Sequence, residues 1–259
     1  MSVFYFLLRG TVVERAIPGP DEDALPGVVW GRPETVFTPS YWMTQYWMRE
    51  EAFPPHQRLG ATFEEEVVAC LLGGYGIPAE VGIAAFSRLK ERSLIASFCS
   101  DSGELAEALR MPLTVGGRTV RYRFWLQKSR YVAAALSILS QAPPPTQSSG
   151  LLRDYLLAMP GVGPKTASWI VRNWLDSNDV AILDVHVVRA GVLMGLYSKS
   201  DSVGEHYFRM EQKFLNLAKA MNVPAAKLDA LIWSQMRQSP RGMTTCADHP
   251  VEAAQFSTA

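Results

Sequence analysis

The sequence predicts a mainly α-helical fold of two helical lobes, with at most a small β element at residues 3–15 and 114–124. Three observations predict it. From Thr62 onward, segment after segment carries apolar residues at helical spacing. The breaks between these segments are Gly/Pro clusters. A Pro/Thr/Gln/Ser stretch from Pro143 to Gly150 separates two groups of helices and reads as a linker. With 259 residues, 48% apolar and 19% charged, the chain can bury one large core or two small ones, and general disorder is excluded.

Residues 1–60 read as an irregular, aromatic segment packing on the core, broken by seven prolines from Pro18 to Pro55. Within it, Thr38-Pro39-Ser40 opens a short helix carrying Tyr41, Trp42, Tyr46 and Trp47. A lobe over 61–142 follows. Its first helix places Phe63, Val67, Cys70 and Leu71 on one face, with Glu64, Glu65 and Glu66 in the first turn, where the dipole favours anions. Gly73 to Pro78 ends that helix. Helices over Ala79–Lys90, Ser102–Leu109 and Lys128–Leu139 complete the lobe. Between the last two lies a basic strip, Gly116–Arg130, holding Arg118, Arg121, Arg123, Lys128 and Arg130 among Tyr122, Phe124 and Trp125. It reads equally as a solvated face or a phosphate contact. After the linker, residues 151–241 carry helices over Leu151–Ala158, Pro164–Leu175, Val185–Leu196, Glu205–Met221 and Ala225–Met236, and a polar tail fills 242–259. No internal repeat is visible.

Charge and cysteine usage narrow the function. Lys+Arg and Asp+Glu both number 25, which excludes coating of nucleic acid by a uniformly basic surface, because that attraction scales with the phosphates neutralised. Any DNA contact would have to be local. Cys70, Cys99 and Cys246 show no CxxC spacing, so neither a zinc site nor an iron–sulfur cluster is expected. The sequence shows no export signal and no membrane span, and a cytoplasmic monomer, nucleoid-associated if bacterial, is expected.

The informative stretch is Leu156-Leu157-Ala158-Met159-Pro160-Gly161-Val162-Gly163-Pro164-Lys165-Thr166-Ala167. An apolar helix stops at a Pro-Gly turn, and a second begins with proline, favoured at the first helical position. The glycines let another backbone approach, and the second helix presents N–H groups at its start. Gly-x-Gly alone also fits an ordinary turn; the whole string specifies a helix-hairpin-helix clamp on a DNA phosphate.

Lys165 stands in the opening turn of the second helix, where the positive end of the dipole disfavours an ammonium. That suits a lysine nucleophile, which attacks as the neutral amine. Asp184 precedes Val185, Val188, Val192 and Leu196 at helical spacing and reads as an N-cap, where its carboxylate accepts backbone N–H bonds. A carboxylate beside a neutral amine can cleave a glycosidic bond, the anion stabilising an oxocarbenium-like sugar while the amine captures C1′.

The stretch from Leu156 to Arg189 resembles the helix-hairpin-helix DNA glycosylases, in particular the 8-oxoguanine DNA glycosylase/lyase family. The shared features are the Met-Pro-Gly-Val-Gly hairpin, the lysine just after it, and Leu183-Asp184-Val185-His186 19 residues beyond that lysine. Weaker similarity extends from about Leu59 to the last helix; residues 1–58 are unmatched. The resemblance implies a helix-hairpin-helix glycosylase fold, with Gly161, Val162, Gly163 and His186 at the DNA backbone. It makes Lys165 a Schiff-base nucleophile giving base excision and strand cleavage, and Asp184 the assisting acid. It implies a base pocket of Trp169 and Trp233 as flanking faces with Asp229 reading the base edge, and Tyr75 in the Gly73–Pro78 loop as a wedge. Trp169 stands where mammalian-type members carry a small thiol, which alters the pocket shape. The implied partner is double-stranded DNA containing a modified base, with no cofactor; a monovalent cation on the hairpin carbonyls is compatible when DNA is bound.

The expected substrate is 8-oxoguanine in base excision repair. A second reading is excision of a bulky hypermodified base, such as glucosylated hydroxymethylcytosine of phage DNA, as antiviral defence, with Tyr41, Trp42, Tyr46 and Trp47 packing on the sugar. A third, a non-catalytic DNA-binding module, needs neither Lys165 nor Asp184.

Overall fold

A computed structural model describes residues 2–53, 58–74, 76–198 and 200–238. Within these, residues 2–53 and 178–238 form one compact unit and the stretch from 58 to 177 the other. Tyr75, Cys246 and the expected tail over 242–259 lie outside the described residues.

The first unit opens with antiparallel strands β1 (Ser2–Leu8) and β2 (Thr11–Ile17), in register from Ser2 opposite Ile17 to Leu8 opposite Thr11. Their two-residue connection, Arg9-Gly10, has positive φ at both positions, 51° and 77°, the primed turn whose twist matches that of the strands. Alternation sends Phe6 and Ile17 inward and leaves Val3, Tyr5 and Leu7 exposed. This ladder is the small β element expected at residues 3–15, and it corrects the expectation of an irregular segment over 1–60 for Ser2–Ile17, where no proline occurs and both strands keep every ladder donor. A short ladder of β3 (Asp23–Leu25) and β4 (Val28–Val29) follows.

Helix α1 (Pro39–Trp47) is capped by Thr38, whose Oγ1 accepts the Tyr41 N–H at 3.1 Å. It packs with α8 (Val185–Leu193), α9 (Val203–Ala220) and α10 (Ala225–Gln238) in one core. Trp42 has no exposed surface, and Tyr46 and Trp47 are buried, with the Trp47 ring stacked at 6.3 Å on Phe6.

The second unit holds α2 (Phe63–Leu72), α3 (Ala79–Glu91), α4 (Ser102–Arg110), the ladder of β5 (Leu113–Val115) and β6 (Arg118–Val120), α5 (Trp125–Leu139), α6 (Ser149–Leu157) and α7 (Pro164–Leu175). The stretch read as an interlobe linker joins α5 to α6 inside this unit, and its end is already helical, with Ser148 Oγ accepting the Leu151 N–H at 3.2 Å. The units part instead after Ser177. A buried polar network ties α7 to α2: Glu66 accepts the Leu59 and Gly60 amides at 2.6 and 2.9 Å and the Asn173 amide at 2.7 Å. Arg172 completes it by donating to Asn173 Oδ1 at 2.9 and 3.1 Å. Phe63 and Trp174 add an edge-to-face contact at 5.3 Å. Among the described residues, no helix is long and apolar enough to cross a membrane.

Candidate functional site

The turn between α6 and α7 is anchored from within and open without. Met159 and Val162 are 2% and 6% exposed, so their side chains fasten the loop, while Gly161 and Gly163 lie at the surface. Gly161 has φ +82°, a left-handed conformation, and a Cβ there would stand 2.3 Å from the Tyr131 ring of α5. Only glycine fits. Gly163 faces open space and is the N-cap of α7, its carbonyl accepting the Ala167 N–H at 2.9 Å. The turn and the start of α7 together form a surface that an anion can approach closely.

Lys165 and Trp169 are half-buried on α7, one turn apart. The Trp169 ring rests against Gly73 at the end of α2, where an added Cβ would be 3.2 Å away. Lys128 reaches the same place from α5, its Nζ donating to the Gly73 carbonyl at 3.5 Å. Burial lowers its pKa to about 8, and the Lys165 ammonium adds to the shift. The structure therefore gathers Lys165, Trp169, Lys128 and Gly73. Lys128 was legible only as one member of a basic strip, although its spacing to Val132, Ala135 and Leu139 puts it on the buried stripe of α5. The rest of that strip divides. Arg118, Arg121, Arg123 and Arg130 are exposed, whereas Tyr122 is core, donating its hydroxyl to the Leu72 carbonyl at 2.7 Å. Arg123, Phe124, Trp125, Gln127, Arg130 and Tyr131 line an open concavity of about 610 Å³, and Tyr131 also underlies Gly161.

Asp184 belongs to the first unit. It is the N-cap of α8, with φ −86° and ψ 177°, and its Oδ1 accepts the His186 and Val187 amides at 2.9 Å each. The backbone leading to it is pinned residue by residue. Ala181 N–H donates to Glu211 at 3.0 Å, Ile182 N–H to Asp229 at 3.0 Å, and the Tyr207 hydroxyl to the Ala181 carbonyl at 2.8 Å. Asp229 is 1% exposed and so serves as an acceptor for this segment. Sequence reasoning missed Glu211 and Tyr207. Their signal is an acid and a phenol on the apolar stripe of α9, with Met210, Phe214 and Leu217. His186 is half-buried in the first turn of α8. Trp233 on α10 is 39% exposed, with the Arg237 guanidinium 5.1 Å from its ring. Of the α1 aromatics, Trp42, Tyr46 and Trp47 are core residues and Tyr41 is half-buried. Among the described residues, no group of three His, Cys, Asp or Glu side chains could hold a metal ion.

Two anchored helices around a Pro-Gly-Val-Gly turn, followed by an aspartate-capped helix, define the class: the fold is that of the helix-hairpin-helix DNA glycosylases. The model of the Ogg-HhH family, 8-oxoguanine DNA glycosylase, matches residues 51–223, and the chain belongs to that family. The 8-oxoguanine DNA glycosylase/AP lyase of Metallosphaera sedula is 32% identical over 83 residues, 31% of this chain and 39% of that protein. The chain thus spans about two fifths of this relative's length in the match. Among solved structures, the 8-oxoguanine DNA glycosylase of Thermotoga maritima is similar with a TM-score of 0.57 and 23% identity, over 77% of this chain and 97% of that one. The Methanocaldococcus jannaschii 8-oxoguanine glycosylase/lyase, solved with a 15mer DNA containing 8-oxoguanine, gives a TM-score of 0.51 and 20% identity, over 78% and 90%.

Proposed function

We propose that the protein is a DNA glycosylase with lyase activity that flips a modified purine, 8-oxoguanine first, out of duplex DNA and excises it. The observation that carries this reading is Lys165 in the first turn of α7, directly after the hairpin and inside the matched region. The relatives carry the same activity in their names.

In this reading the backbone of Gly161–Gly163 grips one phosphate and His186 approaches another, fixing the sugar against the site. Lys165 Nζ attacks C1′ as the neutral amine. The C1′–N bond to the base breaks, its electron pair leaves with the base, and the proton shed by the nitrogen neutralises that base. Opening of the sugar ring gives the imine, and loss of a C2′ proton then expels the 3′ phosphate. Both amide bonds to Asp184 fall on Oδ1, so Oδ2 is left to stabilise the cationic sugar. Trp169, one turn after Lys165, supplies a flat face for the flipped base. Asp229 is assigned to holding Ile182, and through it Asp184, instead of to reading the base edge.

The test is base release from duplexes carrying 8-oxoguanine, with glucosylated hydroxymethylcytosine and undamaged duplexes alongside. Lys165→Gln and Asp184→Asn are each expected to lower the rate by about 10³-fold, typical of groups acting in a transition state. Release of the modified cytosine alone would move the substrate to the bulky base, and unchanged release by Lys165→Gln would remove the nucleophile.

A further inference from the structure

Strands β1 and β2 have no third strand beside them among the described residues, so each keeps one unpaired edge. Their two-residue turn makes Leu8 and Thr11 a hydrogen-bonded pair, and the ladder alternates from there, with Phe6 bonded to Val13 and Phe4 to Arg15. The N–H and C=O groups of Val3, Tyr5 and Leu7 therefore point away from β2, and no other described group bonds them. The side chains of the same three residues are 53%, 62% and 67% exposed on the face turned from the core. Phe4 and Phe6 occupy the other face, their rings 6.0 Å apart and both against Trp47.

The two edges are guarded differently. An exposed strand edge is ordinarily blunted by charged side chains, proline or a bulge. Strand β2 carries Glu14 and Arg15, and Arg15 pairs with Glu50 at 3.2 Å. Strand β1, Ser-Val-Phe-Tyr-Phe-Leu-Leu, carries no charge, no proline and no bulge. Its start borders open space, a concavity of about 520 Å³ that Ser2, Val3 and Phe4 line with Pro33 and Met48. A strand that pairs with this edge must be uncharged and apolar at alternate positions, and β1 is itself such a strand. Two copies laid antiparallel about Tyr5 set Val3 of one opposite Leu7 of the other and Tyr5 opposite Tyr5 on the exposed face. On the other face Phe4 meets Phe6. Every outward N–H and C=O group of Val3, Tyr5 and Leu7 is then bonded, and no like charges meet.

We propose that the protein, expected from its sequence to be a monomer, self-associates through the β1 edge into a two-fold dimer. The two hairpins then form one four-stranded sheet with the β1 strands at its centre. The contact uses none of the residues assigned to base excision and stands apart from that reading. One strand edge covers less than the roughly 800 Å² per partner of a standard interface, so the dimer is a weak one.

The test is sedimentation equilibrium of the full chain without DNA, over about 5 to 500 µM, the range suited to an interface below standard size. The mean mass is expected to rise from one chain towards two. Val3→Lys combined with Leu7→Lys sets lysine opposite lysine twice and is expected to weaken association by about tenfold or more. Val3→Lys combined with Leu7→Glu places as many charges at the same exposed positions but sets lysine opposite glutamate twice, and is expected to associate about as the unsubstituted protein does. Val12→Lys, on the same face but on β2, is expected to leave the mass curve unchanged. A single-chain mass throughout the range would overturn the proposal. Equal association, or equal loss of it, in the two double variants would overturn the antiparallel register about Tyr5. Loss of association in Val12→Lys would overturn the edge contact in favour of one through the sheet face.

Discussion

Glu66 has no exposed surface, yet each of its carboxylate oxygens is occupied, one by backbone amides and one by Asn173. Removing one partner would strand a buried polar group, whereas water solvates both partners in the unfolded chain. Asn173→Ala is therefore expected to destabilise the unit containing 58–177 by about 2–4 kcal/mol, read from urea unfolding of the full chain. Lys128 works in the opposite direction. Its folded pKa, about 8, lies below the ordinary lysine value of 10.5, so between these values the unfolded chain binds more protons than the folded one. Stability is thus expected to rise with pH across that window, and burial of the ammonium to cost its full amount below it. Lys128→Met should abolish the rise, which a denaturation series from pH 7 to 10.5 reads directly. Lys165 and Asp184 were legible from sequence because their signals are local, a proline-started helix and an N-cap. The partners of Lys128, Glu211 and Asp229 were not, since each meets its partner across at least 30 residues of chain.

At the scale of the element, the hairpin separates two glycines that look equivalent in the sequence. Gly161 needs both its positive φ and the space taken by Tyr131, whereas Gly163 has φ −91° and open space around it. Gly161→Ala is expected to cost about 1–3 kcal/mol of stability and to weaken DNA binding with it. Gly163→Ala should leave the unfolding midpoint nearly unchanged and still weaken binding, because its new methyl would stand where a phosphate approaches. Thermal unfolding paired with fluorescence anisotropy on an abasic-analogue duplex distinguishes the two. The helices flanking the hairpin were readable to within a few residues, since caps and apolar periodicity are local. The strands of β1 and β2 were only half-readable: their turn, Arg9-Gly10, supplies a single glycine where two positive φ values are required.

For the whole molecule, a balance of 25 basic and 25 acidic residues fits a grip that is local. The salt dependence of duplex binding should then reflect a few phosphates, with a slope of log K against log salt of about −3 to −5, shallower than that of a broad basic surface. A slope near −10 would mean that the exposed arginines of the 116–130 strip form a far wider footprint. The helical class was legible from periodicity, but the division of the chain was not. The Pro-rich stretch at 143–150 has the composition of a boundary, while the network that ties α7 to α2 within one unit links Glu66 to Asn173, 107 residues apart. Composition records where a chain can bend; long-range packing decides where it divides.

In the proposed reaction Lys165 forms a covalent bond to the sugar of a modified nucleotide. Borohydride reduction during incubation with an 8-oxoguanine duplex traps that bond as a stable adduct. The expected result is a protein–DNA band of combined mass, with the peptide containing Lys165 carrying the sugar, and no band for Lys165→Gln. Base release without an adduct, or an adduct that persists in Lys165→Gln, would contradict it.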